Sequence, residues 1–195
     1  MKKTVFSLVT LGILSSNLFA GSCEDNLKYD FTFFGAPDKS YVVTKNTFTN
    51  SKSNFPNGKL LNATLEIDAL SLDTSADMNN GKAMWPASMA KVRNMNTVNN
   101  FFKGFEKDIG KINVKIIKVA ADSMDVEFKM NGETKVIPFS YKTEGDTIKA
   151  SGKLDVLAFN TNKAWTRFAA VCSAFHKGKS WNEIDVFFEV PASCK

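Results

Sequence analysis

The chain has 195 residues, a length that suits one domain, and 44% of them are hydrophobic. The formal charge is +5, but the lysines are scattered along the chain rather than clustered, which argues against nucleic-acid binding. A single histidine and three cysteines offer few of the three or four neighbouring ligands that a zinc site needs.

Residues 1–20 have the pattern of an export signal. Lys2 and Lys3 form the positive start, an apolar run covers 5–14, and a small residue stands at the expected cut. The run is too short to cross a bilayer, which takes about 20 apolar residues. We therefore expect a soluble periplasmic protein with no transmembrane segment and one mature domain at 21–195. Loss of the two lysines lowers its formal charge to +3.

The three cysteines are Cys23, Cys172 and Cys194. Exported proteins usually pair their cysteines. In a closed antiparallel barrel the first and last strands are neighbours, so a Cys23–Cys194 disulfide can staple the seam, with Cys172 left as a buried free thiol. One alternative stays open, in which the sequence ending at Cys23 is a lipoprotein signal and Cys23 is lipidated.

Alternating strands begin early in the mature chain. Between 27 and 48, Tyr29, Phe31 and Phe33 alternate with other residues, which predicts one or two strands. Residues 61–69 form a clean period-two pattern with one apolar and one polar face.

The composition changes over residues 75–108, which are rich in Met, Phe and Asn. We expect a helical excursion at about 80–108, with a short helix that is capped by Asn96 or Thr97 and ends near Gly104. Methionine fills irregular apolar space and adapts to varied ligands. This cluster is therefore either plain core below a long loop or the lining of a lipid cavity.

Alternation then resumes from Ile112 and continues to about residue 156, with a strong hairpin signal at Asn131-Gly132. A helical period follows, which predicts an amphipathic helix at about 160–177 that Gly178 ends. A last strand covers 184–190. This regular spacing of strands predicts an antiparallel barrel or sandwich.

The candidate reactive residues are few. Cys172 and His176 share one helix face, but no third Cys or His lies nearby, so we expect neither a metal site nor a cofactor. The segment 178–180 (GKS) resembles the tail of a phosphate loop, but it follows a helix and precedes a strand, the reverse of the required order. Nucleophilic catalysis needs a base close to a Ser or Cys, and Cys172 lies on an apolar stripe. We therefore expect no enzymatic activity.

Several segments together resemble the YceI-like family of exported lipid-binding proteins. They are 63–74 (ATLEIDALSLDT), 126–136 (VEFKMNGETKV), 150–160 (ASGKLDVLAFN) and 176–181 (HKGKSW). The Phe101-Phe102 pair is similar to an aromatic pair of the family, and Arg93-Asn94 is a weaker match to its Arg-Asp. The histidine-containing opening motif of the family is absent. Residues 38–41 (DKSY) match it only weakly and contain no histidine.

The resemblance implies an extended eight-stranded antiparallel, lipocalin-like β-barrel around an elongated apolar channel. It also implies a ligand with a long apolar chain, such as a polyisoprenoid, a quinone tail or a fatty amide. We interpret the protein as a non-enzymatic lipid-binding protein whose excursion and late helix cover the opening of the barrel. The expected ligand-binding residues are Met84, Trp85, Met89, Phe101, Phe102, Phe105, Trp165 and Phe168.

Two questions stay open at this point. The alternative function is a non-enzymatic envelope interaction or stress-response protein with a filled core. The sequence also leaves open whether the protein is a monomer or a homodimer.

Overall fold

The computed structural model describes residues 22–78 and 88–195. The predicted signal peptide at 1–20 therefore lies outside the described residues, as do Met84 and Trp85. None of the helices in the two described ranges is both long enough and apolar enough to cross a membrane.

The described residues form one curled antiparallel sheet of ten strands, so the expected all-β class is confirmed. The order of the strands is β3-β4-β6-β7-β8-β9-β10-β1-β2-β5. Their bounds are β1 Lys28–Gly35, β2 Tyr41–Phe48, β3 Ser51–Asn54, β4 Thr64–Asp68, β5 Leu72–Asp73, β6 Lys111–Val119, β7 Ser123–Met130, β8 Glu133–Glu144, β9 Thr147–Asp155 and β10 Glu183–Pro191.

The structure has ten strands where eight were expected, because two long extended segments are each interrupted. Two residues separate β2 from β3, and the 3-10 turn Ala69–Ser71 separates β4 from β5. Across the interruption the Thr49 amide donates to the Ser71 carbonyl at 3.0 Å, and the Asp68 amide donates to the Asn50 carbonyl at 3.0 Å. The two end strands of the sheet order are β3, which follows β2, and β5, which follows β4. They therefore belong to two extended segments that are hydrogen-bonded to each other, which is consistent with a barrel.

A bulge interrupts the pairing of β1 with β2. Phe31 is opposite Asn46 and Phe33 is opposite Val43, so one residue of β1 faces two of β2. Lys45 lies within the bulge and has a φ of 55°. A bulge of this kind changes the alternation of side chains along its strand, and here it turns Asn46 into the interior, where the side chain is 1% exposed.

Four helices accompany the sheet within the described residues: α1 Cys23–Asn26, α2 Ser75–Met78, α3 Ser88–Asn100 and α4 Asn162–Cys172. Helix α3 lies in the expected excursion, but the predicted cap at Asn96 or Thr97 is wrong, because both residues are inside α3. Helix α4 is shorter than the predicted 160–177. It buries Ala164, Phe168 and Cys172 along one face.

The two ends of the described chain are joined by a disulfide between Cys23 and Cys194, across 171 residues of sequence. Cys23 precedes β1 and Cys194 follows β10, and these two strands pair from Lys28↔Glu189 onward. The bond therefore lies at the junction of the first and last strands. Cys172 is a buried free thiol.

Candidate ligand-binding site

Three cavities follow one another through the interior of the curled sheet. We call them the helix cavity, the central cavity and the far cavity, with volumes of about 70, 110 and 80 Å³. Each shares lining residues with the next. Phe31, Phe33, Thr97 and Phe168 separate the helix cavity from the central cavity. Tyr29, Ile67, Phe128 and Val186 separate the central cavity from the far cavity.

The central cavity is almost entirely apolar. Its walls come from the inward faces of the strands and from the aromatic residues that connect α3 and α4 with the sheet. The further lining residues are Asp30, Phe48, Phe101, Phe102, Ile112, Met130, Leu154, Val156, Trp165 and Ile184. Alternation along each strand explains this lining, because every second side chain faces inward.

Strand residues form most of the wall of the far cavity, and Leu27, Phe55 and Ala63 from connecting segments complete it. Its further lining residues are Leu27, Phe55, Ala63, Thr64, Leu65, Val114, Ile116, Val126, Phe139, Phe187 and Phe188. No charged side chain occurs in this set, so this part of the interior can accept hydrocarbon but offers nothing to a charged group.

The helix cavity differs because polar side chains line it. Helices α3 and α4 cover it, and residues from β1, β2, β5 and the segment after α4 contribute to its wall. The further lining residues are Tyr41, Val43, Asn46, Leu72, Thr74, Met89, Val92, Arg93, Asn96, Cys172, Phe175 and His176.

The structure separates the residues that the sequence had grouped as ligand-binding. Met89 lines the helix cavity, and Phe168 lines both the helix cavity and the central cavity. Phe101, Phe102 and Trp165 line the central cavity.

Phe105 is buried but lines none of the three cavities. Its ring packs edge-on against Phe101, with centroids 5.3 Å apart, and against Phe102 at 5.8 Å. Phe105 therefore supports two lining residues from behind. The predicted contributions of Met84 and Trp85 lie outside the described residues.

An ion pair closes one side of the helix cavity. Arg93 Nη1 lies 3.4 Å from Asp77 Oδ2, and both side chains are largely buried. Asp77 Oδ1 also accepts hydrogen bonds from the amide and the hydroxyl of Thr44, both at 3.0 Å. Arg93 Nη2 donates to the Thr74 carbonyl at 3.3 Å. These contacts fix α3 against β2 and balance the charge of Arg93.

Burial keeps the Cys172 thiol and the His176 imidazole in their uncharged forms. Burial raises the pKa of the Cys172 thiol to about 12 and lowers the pKa of His176 to about 4. The imidazole is therefore neutral and the thiol protonated near neutral pH. His176 Nδ1 lies 2.7 Å from Ser180 Oγ, and both residues are buried. Residues 22–78 and 88–195 contain no group of three or more His, Cys, Asp or Glu arranged to hold a metal ion.

The segment 176–181 closes the sheet beside the helix cavity. The Trp181 indole donates to the Ala36 carbonyl at 2.7 Å, and the Trp181 amide donates to the Phe34 carbonyl at 3.0 Å. A β-bridge joins Gly35 to Ser180. This segment, which carried part of the family resemblance, thus has a structural role at the end of β1.

Sequence reasoning missed Asn46 and Arg93 as lining residues. Asn46 faces the interior only because of the bulge at Lys45, and simple alternation from Tyr41 and Val43 would place it outside. Arg93 was noted for its neighbourhood in the sequence but not for its position on the cavity wall. Its sequence signal is a lone arginine in a helix that is otherwise poor in charge.

Comparisons with known proteins define the fold. No family model matches the chain, and no curated protein matches it either. A solved structure of a polyisoprenoid binding domain from Saccharophagus degradans, implicated in plant cell wall breakdown, is similar over 86% of this chain and 97% of its own, with 12% identity and a TM-score of 0.50. BcnA from Burkholderia cenocepacia is similar over 84% of this chain and 96% of its own, with 15% identity and a TM-score of 0.48.

The curled antiparallel sheet and its apolar internal cavities define an all-β fold that is consistent with a lipocalin-like barrel. Within the all-β class, the likeness to the Saccharophagus degradans domain gives the chain a YceI-like fold, as its sequence motifs had indicated.

Proposed function

We propose that the protein binds a lipid with a long apolar chain inside the curled sheet. The carrying observation is the series of three cavities that share lining residues from one end of the interior to the other. A chain-shaped ligand is the kind that can occupy consecutive narrow spaces. Removal of its surface from water contributes roughly 25 cal/mol per Å², with no covalent step.

The ligand class that we propose is a polyisoprenoid, a quinone tail or a fatty amide. The Saccharophagus degradans domain, which shares the fold, is described as polyisoprenoid binding. In the arrangement that we propose, β2 with β3 and β4 with β5 each count as one interrupted strand, which gives a barrel of eight strands. The chain of the ligand runs along the axis of this barrel. The four residues at each junction between cavities change rotamer to let the chain pass.

We also propose that the protein works in the periplasm. The Cys23–Cys194 disulfide supports this, because disulfides persist in oxidising compartments and are rare in the cytosol. The export-signal pattern of 1–20 supports the same location.

One observation favours the alternative of an envelope interaction protein with a filled core. Each cavity taken separately is smaller than the roughly 300–1,000 Å³ of most ligand sites. The two functions differ in whether the apolar chain of a ligand can enter the cavities.

A binding titration with a cavity-blocking variant separates them. Val186 lines both the central cavity and the far cavity, whereas Val171 is 44% exposed on α4. We expect a fluorescent long-chain probe to bind the unchanged protein and Val171→Phe saturably and with similar affinity, and Val186→Phe at least about tenfold more weakly, because the added ring occupies the path. No saturable binding to the unchanged protein would support the filled core instead.

A further inference from the structure

Asn46 carries a buried acceptor that no described residue satisfies. Its Nδ2 donates to the Phe31 carbonyl at 2.9 Å and to the Val43 carbonyl at 2.7 Å, which fixes the orientation of the amide. Its Oδ1 is buried without a hydrogen-bond partner among the described residues. Because a buried acceptor without a partner is costly, such a group usually bonds to an ordered water or to a bound ligand, and a ligand with a matching polar group can take the place of the water.

Arg93 carries the complementary donor. Its two terminal nitrogens contact Asp77 and the Thr74 carbonyl, but its buried Nε has no hydrogen-bond partner in the part of the chain that the structure describes. Arg93 lines the same cavity of about 70 Å³ as Asn46. One small space therefore contains an acceptor and a donor that are both unused.

The charge of this space is balanced. The Arg93 guanidinium is paired with the Asp77 carboxylate, so an incoming anion gains no free cation. A carboxylate also has no hydrogen to donate to Asn46 Oδ1, and it would add negative charge beside Asp77. A hydrocarbon end would satisfy neither atom. A hydroxyl or a primary carboxamide both donates and accepts, and is uncharged.

We propose that the helix cavity binds the polar end of the lipid, and that this end is an uncharged hydroxyl or carboxamide. It donates to Asn46 Oδ1 and accepts from Arg93 Nε–H. The apolar chain leaves the helix cavity past Phe31, Phe33 and Phe168 into the central cavity. This inference rests on the proposed function. It adds the chemical class of the polar end of the lipid and the orientation of the lipid in the interior.

The test uses four probes with the same sixteen-carbon chain, in the manner of a matched series: hexadecanol, hexadecanamide, hexadecanoate and hexadecane. Each competes with a fluorescent long-chain probe for the full protein at a mildly alkaline pH, where the acid is ionised. We expect the alcohol and the amide to bind about tenfold more tightly than the alkane, as two modest hydrogen bonds allow, and the acid to bind no better than the alkane.

Two variants locate the effect. Arg93→Lys keeps a cation near Asp77 but removes the Nε–H, so we expect the ratio of alcohol affinity to alkane affinity, measured on the same variant, to fall several-fold. Arg167→Lys changes the exposed arginine of α4 in the same way and should keep the full preference. Circular dichroism checks that both variants fold.

The head-group series on the unchanged protein does not depend on either variant. If all four probes bind equally, or if the acid binds most tightly, the proposed head-group site is wrong while the proposed chain binding stands. A preference for the alcohol that Arg93→Lys leaves unchanged also overturns the site. If none of the probes binds, the proposed function fails, and the inference fails with it.

Discussion

His176 Nδ1 lies 2.7 Å from Ser180 Oγ in a buried pair in the segment after α4. The imidazole also packs against the ring of Tyr41, with centroids 4.6 Å apart, and against Phe33 at 5.2 Å. A β-carbon at Gly35 would lie 2.9 Å from the imidazole Cγ. The pair is thus enclosed by aromatic rings and backbone, and its neutral form is part of the packing.

This enclosure predicts how stability depends on pH. Burial lowers the pKa of His176 from 6.5 to about 4. As the pH falls below 6.5, the unfolded chain takes up a proton that the folded protein does not, so the contribution of His176 is complete above that pH and is lost progressively towards pH 4. The loss in the free energy of unfolding is on the order of 3 kcal/mol.

Urea unfolding at several pH values between about 7.5 and 4.5 measures this effect. We expect His176→Gln, which keeps a hydrogen-bonding side chain near Ser180, to lose less stability than the unchanged protein over the same range, because the carboxyl groups of both proteins titrate alike. Equal pH dependence in the two proteins would contradict a buried neutral imidazole.

Cys172 should be unreactive in the folded protein. Burial raises the pKa of its thiol to about 12, and the thiolate is the reactive form. A thiol reagent at neutral pH should therefore modify the native protein very slowly and modify one cysteine rapidly once urea unfolds the chain. Rapid modification without urea would show an accessible thiol beside His176, and would revive a nucleophilic role for Cys172.

The disulfide between Cys23 and Cys194 should stabilise the seam of the sheet. It closes a loop of 171 residues, so the Cys23→Ser, Cys194→Ser double variant should lose about 2–5 kcal/mol in its free energy of unfolding. Dithiothreitol should lower the stability of the unchanged protein by a similar amount and leave the double variant unaffected, which separates loss of the bond from the two substitutions. An equally stable double variant would show that the strand pairing alone holds the seam.

Adding a side chain at Gly152 should lower the stability of the protein. It is opposite Phe139 in the pairing of β8 with β9, and a β-carbon at this position would lie 2.5 Å from the Phe139 ring. We expect Gly152→Ala to lower the free energy of unfolding by about 1–3 kcal/mol because the core is overpacked. The neighbouring Ser151→Ala, on the other face of β9, should change it by no more than about 0.5 kcal/mol. Similar effects of both substitutions would contradict the close contact.

The sheet could be predicted from the sequence wherever a strand is regular. Residues 124–130 and 148–154 alternate without interruption, and their apolar positions face the interior as expected. The prediction failed where the backbone departs from regularity. The interruptions after β2 and β4 raise the number of strands from the expected eight to ten. They could not be predicted, because hydrogen bonding across a short interruption leaves no periodic pattern in the sequence.

The helical part was harder to predict for a different reason. Helix α3 is rich in Asn, a weak helix former, and its helical state depends on packing against α4 and the sheet. Asn and Thr are common caps as well as weak helix formers, so the sequence predicts a cap at a place that the structure shows to be inside the helix. The polar residues of the helix cavity could not be predicted either, because only the bulge at Lys45 brings Asn46 into the interior.

Native mass spectrometry of the protein, purified from its native host, tests the binding of a chain lipid most directly. We expect a mass above that of the polypeptide by one long-chain lipid, which organic solvent releases and which tandem mass spectrometry identifies as an uncharged alcohol or amide. Detection of the bare chain alone, together with no uptake of a long-chain probe in titration, would contradict lipid binding and leave a protein with a filled core.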